Sequence, residues 1–189
     1  MNVGVSGNEG AAIPSTGETI ESTVLLAEYA QIKDEQRARI GFRDNLLYVT
    51  LAAVTAITAI TLQTKHPQLL LALPVVCVVL GWTYLVNDEK ISAIGRYIRT
   101  ELAYRLPSDT NTGHRAFGWE TFHRSDAKRG SRKVTQTIVD LTTFLITPFA
   151  ALIAFWCYGP GNALLITTSI VEAAGLAGLG VQILRYAER

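Results

Sequence analysis

The stretch TIVDLTTFLITPFAALIAFWCYGPGNALLITTSIVEAAGLAGLGVQIL, residues 137–184, reads as two apolar helices folded back on each other at Gly159-Pro160-Gly161-Asn162. Each arm, 137–158 and 163–184, is long enough to cross a hydrocarbon core of roughly 30 Å. Two acids, Asp140 and Glu172, interrupt the arms. A carboxylate is costly in hydrocarbon, so an acid inside such a segment points to a functional site by default.

Upstream lies a second hairpin of the same kind. Residues 46–62, LLYVTLAAVTAITAITL, carry no charge; 63–68, with Pro67, form a tight turn; and 69–86, LLLALPVVCVVLGWTYLV, return. Pro74 marks a kink, and Trp82 with Tyr84 stand where an aromatic belt meets the interface. The expected fold class is therefore all-α: a polytopic membrane protein with four transmembrane helices in two hairpins. Composition agrees, because only 17% of the 189 residues are charged against about 25% in soluble domains.

Residues 1–22, rich in Gly, Ser, Thr and Glu, read as a disordered tail with too few buriable side chains to fold. With no Lys or Arg and no apolar core in the first thirty residues, they are not a secretory signal, so the first span acts as an uncleaved anchor. From 23 to 44 the pattern turns helical, with Leu25, Tyr29, Ile32, Gln36 and Ile40 at spacings of three or four on a charged helix. No proline separates it from the first span, so the two read as one rod. Residues 87–106 mirror it with Ile91, Ile94, Ile98 and Leu102. The hairpin is antiparallel, so both extensions leave on one side and can pair stripe to stripe. A solvated or lipid-skimming helix is the alternative.

The loop 107–136 is aromatic first, with Phe117, Trp119 and Phe122, and basic at its end, with Arg124, Lys128, Arg129, Arg132 and Lys133 against Asp126. Five bases just before a span suit anionic lipid headgroups, at roughly 1 kcal/mol per base near the surface; that proximity disfavours nucleic acid. All but Lys65 of the seventeen Lys and Arg fall on the side of the termini and this loop. The positive-inside rule then places both termini in the cytoplasm and the protein in the plasma membrane. The net charge of +1 predicts no polyanionic partner. Cys77 and Cys157 fall at different depths, which argues against a bridge between them.

Within the second hairpin, Thr168, Ser169, Gly175, Leu179 and Gln182 gather near Glu172 on one helical face, while Thr137, Asp140, Thr143 and Thr147 recur on the other arm. Three readings stand: a proton- or cation-conducting site, a buried charge that drives assembly, or a protonated Glu172 hydrogen-bonded to a Thr or backbone carbonyl of a neighbouring helix. Asp140, nearer the interface, reads as a partner for Arg132 or Lys133. Ala174, Gly175 and Gly178 permit close helix approach and are not a dinucleotide loop, since no strand precedes them. Glu120 and His123 form a lone E-x-x-H near His114, whereas carboxylate metal sites use paired copies. With no H-E-x-x-H, P-loop, C-x-x-C or G-x-S-x-G, neither an enzyme nor a cofactor or metal is expected.

The runs YAQIKDEQRARIGFRDNLLYVTLAA (29–53), LGWTYLVNDEKISAIGRYIR (80–99) and GWETFHRSDAKRGSRK (118–133) resemble a group of small, uncharacterised actinobacterial integral membrane proteins. In architecture the chain is also similar, more remotely, to small membrane effectors of bacterial conflict systems, which implies a membrane-perturbing role. The expectation is a non-enzymatic component that self-assembles as a homo-oligomer, as a pore or effector controlled from the cytosol. The alternatives are a proton- or cation-coupled transporter or channel subunit centred on Glu172, and a scaffold recruiting a cytosolic protein partner.

Overall fold

A computed structural model describes residues 16–105 and 129–187, and every element among them is helical. They form four rods, each containing a helix long and apolar enough to cross a membrane. Rod 1 is the single helix α1, Thr16–Thr64. Its 49 residues span about 70 Å at 1.5 Å each. Rod 2 opens with a 3₁₀ turn, Pro67–Leu71, runs through α2, Ala72–Tyr97, and closes with a wide π turn, Ile98–Leu102, and a last short turn, α3, Ala103–Arg105. Rod 3 is α4, Arg129–Leu141, a π turn, Thr142–Ile146, and α5, Thr147–Tyr158; rod 4 is α6, Ala163–Ala187.

Two boundaries differ from the sequence expectation. Helix α1 begins at Thr16, inside the stretch 1–22 read as a tail; past Pro14 no proline interrupts it, and Glu18 and Glu21 suit a helix N-terminus. Rod 3 begins at Arg129 rather than after the expected loop 107–136, and Thr135 Oγ donates to the Ser131 carbonyl within the added turns at 3.1 Å. Pro74 is buried in the first turn of α2, directly after the 3₁₀ segment. A missing N–H is tolerated there, so it starts the helix rather than kinking its middle.

The connections are short. Lys65 ends α1 with φ at 57°, the left-handed position that usually falls to glycine, and its N–H donates to the Thr61 carbonyl at 2.9 Å. Asn162 caps α6, its Oδ1 accepting the Leu164 N–H at 2.9 Å.

Inward residues of rods 1, 2 and 4 follow spacings of three and four, the period of a left-handed helical bundle. Rod 1 turns in Leu25, Tyr29, Ile32, Gln36, Arg39, Arg43, Leu46 and Thr50; Ile40, expected on this stripe, is 38% exposed because Arg39 and Arg43 take the inward positions. Rod 2 presents Pro74, Cys77, Gly81, Tyr84, Asp88, Ile91, Gly95, Ile98 and Leu102. Cys77 is buried and Cys157 exposed, and both are free thiols. Leu46, Tyr84, Leu85, Phe144, Leu179 and Ile183 join all four rods in one core, and Leu71, Leu152, Phe155 and Leu176 make a second. Gly81 lets rods 3 and 4 close in on rod 2: a Cβ there would meet Leu179 Cδ2 at 2.8 Å and Phe144 Cδ1 at 3.0 Å.

Rod 3 departs from this period. Pro148 has no N–H and its ring would crowd the preceding turn, which the π turn Thr142–Ile146 widens. Thr147 Oγ donates to the Thr142 carbonyl, five residues back, at 2.9 Å. Beyond the π turn the buried face is Pro148, Ala151, Leu152 and Phe155, while Thr147 and Ala154 are only half-buried. The threonine stripe expected on this arm is broken at the same point, so Asp140 is buried while Thr143 and Thr147 are only half-buried.

Threonines elsewhere in the apolar segments bond back to their own helix: Thr55 Oγ to the Leu51 carbonyl and Thr83 Oγ to the Val79 carbonyl, both at 2.8 Å. Large apolar side chains meanwhile point outward, among them Leu51, Val75, Ile153 and Ile170.

Gly81→Ala is expected to lower unfolding stability in detergent by about 1–3 kcal/mol through overpacking. Gly178→Ala, where a Cβ meets nothing within 4 Å, is expected to be neutral or mildly stabilising, as Ala is the better helix former. Equal midpoints for the two in thermal or denaturant unfolding would contradict the packing described.

Candidate functional site

Where the apolar segments give way to charged extensions, all four rods contribute to one polar layer. From rod 1, Arg43 Nη1 meets Asp88 Oδ1 of rod 2 at 2.8 Å. Burial is the largest single influence on Arg43 and opposes its charge, but the bond to Asp88 together with the nearby Tyr84 and Asp44 outweighs it and raises the guanidinium above its ordinary pKa. One residue along, Asn87 Nδ2 donates to the Arg39 carbonyl at 2.6 Å, stitching rod 2 to rod 1 through the backbone. From rod 3, Gln136 Nε2 donates to Tyr84 OH at 2.5 Å and to Asp140 Oδ1 at 2.9 Å. Tyr84 and Asp140 are themselves hydrogen-bonded. Rod 4 joins through Tyr186, whose OH donates to Glu89 Oε2 at 3.0 Å.

Tyr84 therefore does not stand in an aromatic belt beside Trp82. It is 1% exposed, with its ring 5.2 Å from that of Phe144, whereas Trp82 is 52% exposed. The burial of Tyr84 follows from the seam, which Tyr84 continues from Gly81 at a spacing of three. Asp140 finds its described partners in Tyr84 and Gln136. The side chains of Arg132 and Lys133, its expected partners, lie outside the described residues, as do Arg124, Lys128, the Arg129 side chain, Glu120, His123 and His114. Among the described residues no group of three His, Cys, Asp or Glu side chains could hold a metal ion.

The second acid sits apart from this layer. On rod 4 the inward ridge runs Leu165, Ser169, Glu172, Leu176, Leu179 and Ile183, so Glu172 lies one turn from Ser169 and one from Leu176. Ser169 Oγ accepts from Trp156 Nε1 at 2.9 Å and donates to the Ile166 carbonyl at 2.7 Å. Glu172 Oε2 is buried and has no hydrogen-bond partner among the described residues. The polar face expected around it divides. Ser169 and Leu179 turn inward with Glu172, and Gln182 is half-buried. Thr168 faces out, its Oγ bonded to the Leu164 carbonyl at 3.0 Å. Ala174, Gly175 and Gly178 are exposed, and a Cβ at Gly175 would meet only Val78, at 3.7 Å.

The charged extensions of rods 1 and 2 pack together. Leu25 and Leu102 are buried between Tyr29 and Tyr97, Ile98 is fully buried, and Ile32, Ile91 and Ile94 are half-buried. Tyr97 OH donates to Glu28 Oε1 at 2.6 Å, and that bond, with some burial, raises the Tyr97 pKa. Gln36 Nε2 reaches the Ile91 carbonyl at 3.4 Å.

Sequence reasoning missed Arg43, Tyr84, Asn87, Asp88, Gln136 and Tyr186. The signal available was positional: polar residues at i and i+4 at the same end of two apolar runs, Tyr84 with Asp88 and Gln136 with Asp140.

Tyr84→Phe removes a partner of the buried Asp140 and of the exposed Gln136 and is expected to cost about 1–3 kcal/mol in unfolding stability; an unchanged midpoint would exclude the network. For Tyr97, a raised folded pKa means that the contact is intact below the unfolded tyrosine value and lost as pH rises through the folded one. The difference in tyrosinate absorbance between wild type and Tyr97→Phe should then have its midpoint above about 10, the ordinary tyrosine value; a midpoint at or below it would exclude the bond. No protein-family model, curated protein or solved structure matches this chain, so the reading of its site rests on its own residues.

Proposed function

We propose that this protein is a non-enzymatic integral component of the plasma membrane that self-assembles and acts as a pore-forming or membrane-perturbing effector controlled from the cytosolic side. The observation that carries the reading is the continuity of rods 1 and 2. The paired extension at Leu25 and Leu102, the polar layer at Arg43 and Asp88, and the apolar hairpin beyond belong to the same two helical rods. A displacement imposed on the extension is therefore delivered to the apolar hairpin without a loop to absorb it.

Membrane placement is supported by the outward large apolar side chains, which a soluble protein would gather inside. Tyr48 and Trp82 are exposed toward one end of the apolar segments, and Trp156 and Tyr158 toward the other, as interfacial girdles would be. The distribution of Lys and Arg favours cytoplasmic termini, and the bases before rod 3 favour anionic headgroups. The interior of a single chain is filled by Tyr84, Phe144, Leu152, Phe155 and Leu176, each at most 2% exposed, so any path requires more than one copy.

A second reading, a proton- or cation-coupled transporter or channel subunit, is favoured by Glu172 Oε2, a buried acid oxygen with no partner among the described residues.

Expressing wild type and Glu172→Gln while following membrane potential separates the two. The effector reading expects depolarisation by both; leak abolished by the substitution would move the assignment to Glu172 conduction, and no leak from either would favour a scaffold. In nanodiscs the mass is expected to exceed that of one chain, and a monomer would overturn self-assembly. A reporter fused after Arg189 is expected in the cytoplasm.

A further inference from the structure

Rod 1 carries a second stripe, on a different side from the seam it shares with rod 2. In the charged extension this stripe runs Ile20, Val24, Ala27, Gln31, Asp34, Ala38 and Gly41, at spacings of three or four, and all seven are exposed. Ile20 and Val24 are 62% and 60% exposed. It continues without a break into the apolar half as Asn45, Val49, Ala52, Ala56 and Ala59, exposed again and at the same spacings. A different exposed side of the same helix carries Leu51, Thr55 and Leu62, large or back-bonded groups that suit lipid.

The length of the stripe limits what can cover it. Lipid can cover Val49 to Ala59 but not Ile20 and Val24 on the charged extension. A soluble protein can reach Ile20 and Val24 but not Ala52 or Ala56. Rods 1 and 2 of a second copy both change from charged to apolar at that height, but the exposed side of rod 2 carries the large Val75, Val79, Trp82 and Val86, whereas another rod 1 offers the small Ala52 and Ala56 in return. We propose that the outer stripe of rod 1 is the contact between copies of this chain, two α1 helices running parallel in register.

The side chains along the stripe fit that partner. Ala52 and Ala56, four apart, let two helices approach closely within a bilayer. Asn45, at the level where charge gives way to apolar sequence, meets Asn45 of the second copy in this register; paired Asn at a seam position fixes both the parallel sense and the alignment. Asp34, also on the stripe, already has its charge met within the chain by Arg37 at 2.9 Å, so two Asp34 groups can come together without an unbalanced pair. The inference rests on the self-assembly proposed above and names its surface.

The test is disulfide cross-linking of the full chain in native membranes, in a Cys157→Ser background with Cys77 left buried. Single cysteines are placed at Ala38, Asn45 and Ala52 on the stripe, at Leu51 and Leu62 on the other exposed side, and at Ala174 and Gly178 on rod 4. Dimer yield is expected to be at least tenfold higher at Ala38, Asn45 and Ala52 than at Leu51 and Leu62. Equal yields at all positions, or yields highest on rod 4, would overturn the rod 1 contact while leaving assembly standing; a monomer in nanodiscs would overturn both. Ala52→Leu with Ala56→Leu supplies a readout without cysteines. Both positions are exposed, so the thermal midpoint should hold while the dissociation constant in nanodiscs rises at least tenfold; an unchanged dissociation constant would overturn the contact.

Discussion

Arg43 and Asp88 meet at 2.8 Å at the height where rods 1 and 2 change from charged to apolar sequence. Below them the seam is Leu46, Thr50, Tyr84 and Gly81; above them it is Arg39, Gln36, Ile91 and Gly95. The pair thus sets the register of the two longest helices in their charged and their apolar halves at once. Sliding one rod by a turn would part Arg43, whose side chain is 24% exposed, from Asp88 and set its guanidinium against apolar side chains without the counter-charge. Asn87 bonded to the Arg39 carbonyl fixes the same register through the backbone.

From that fixed pair the rest of the bundle is placed in sequence. Tyr84 lies one turn from Asp88 and projects between the rods, where its hydroxyl collects Asp140 and Gln136 and its ring meets Phe144. Rod 3 is held there, and Gly81 leaves the room that Phe144 and Leu179 occupy. Rod 4 closes the layer through Tyr186 and Glu89. Every polar group named in this layer has a described partner, as polar groups packed between helices need. Glu172, two turns deeper than Leu179 on the rod 4 ridge, is the acid that the layer does not serve.

Much of this was written in the sequence at the level of elements. The four apolar runs, their turns and the stripe of Leu25, Tyr29, Ile32, Ile91, Ile98 and Leu102 are local signals, since hydrophobic spacing depends on neighbours three and four residues away. The side on which a residue ends depends instead on contacts between distant segments. Tyr84 beside Trp82 has the composition of an interfacial belt, and only packing against Phe144 and Asp140 turns it inward. Thr143 and Thr147 look continuous with Asp140 until Pro148 widens the turn before it. The polar and small residues around Glu172 share one face by spacing alone, yet Thr168 satisfies itself on its own backbone and faces out, while Ser169 takes the Trp156 indole and stays in.

The π turn at Thr142–Ile146 also makes rod 3 a counted element. Each residue advances a helix by about 100°, so the one extra residue held in that turn keeps Pro148, Leu152 and Phe155 aimed inward. Removing a single residue there, with no change of composition or hydropathy, would rotate the whole of α5 by that angle. Leu152 and Phe155 would then face outward, and the contacts with Leu71 and Leu176 would be lost. Chain length between Phe144 and Phe155 is thus as much a coordinate of this core as the identity of any side chain in it, and tolerance to insertion or deletion should be lowest where the apolar sequence looks most uniform.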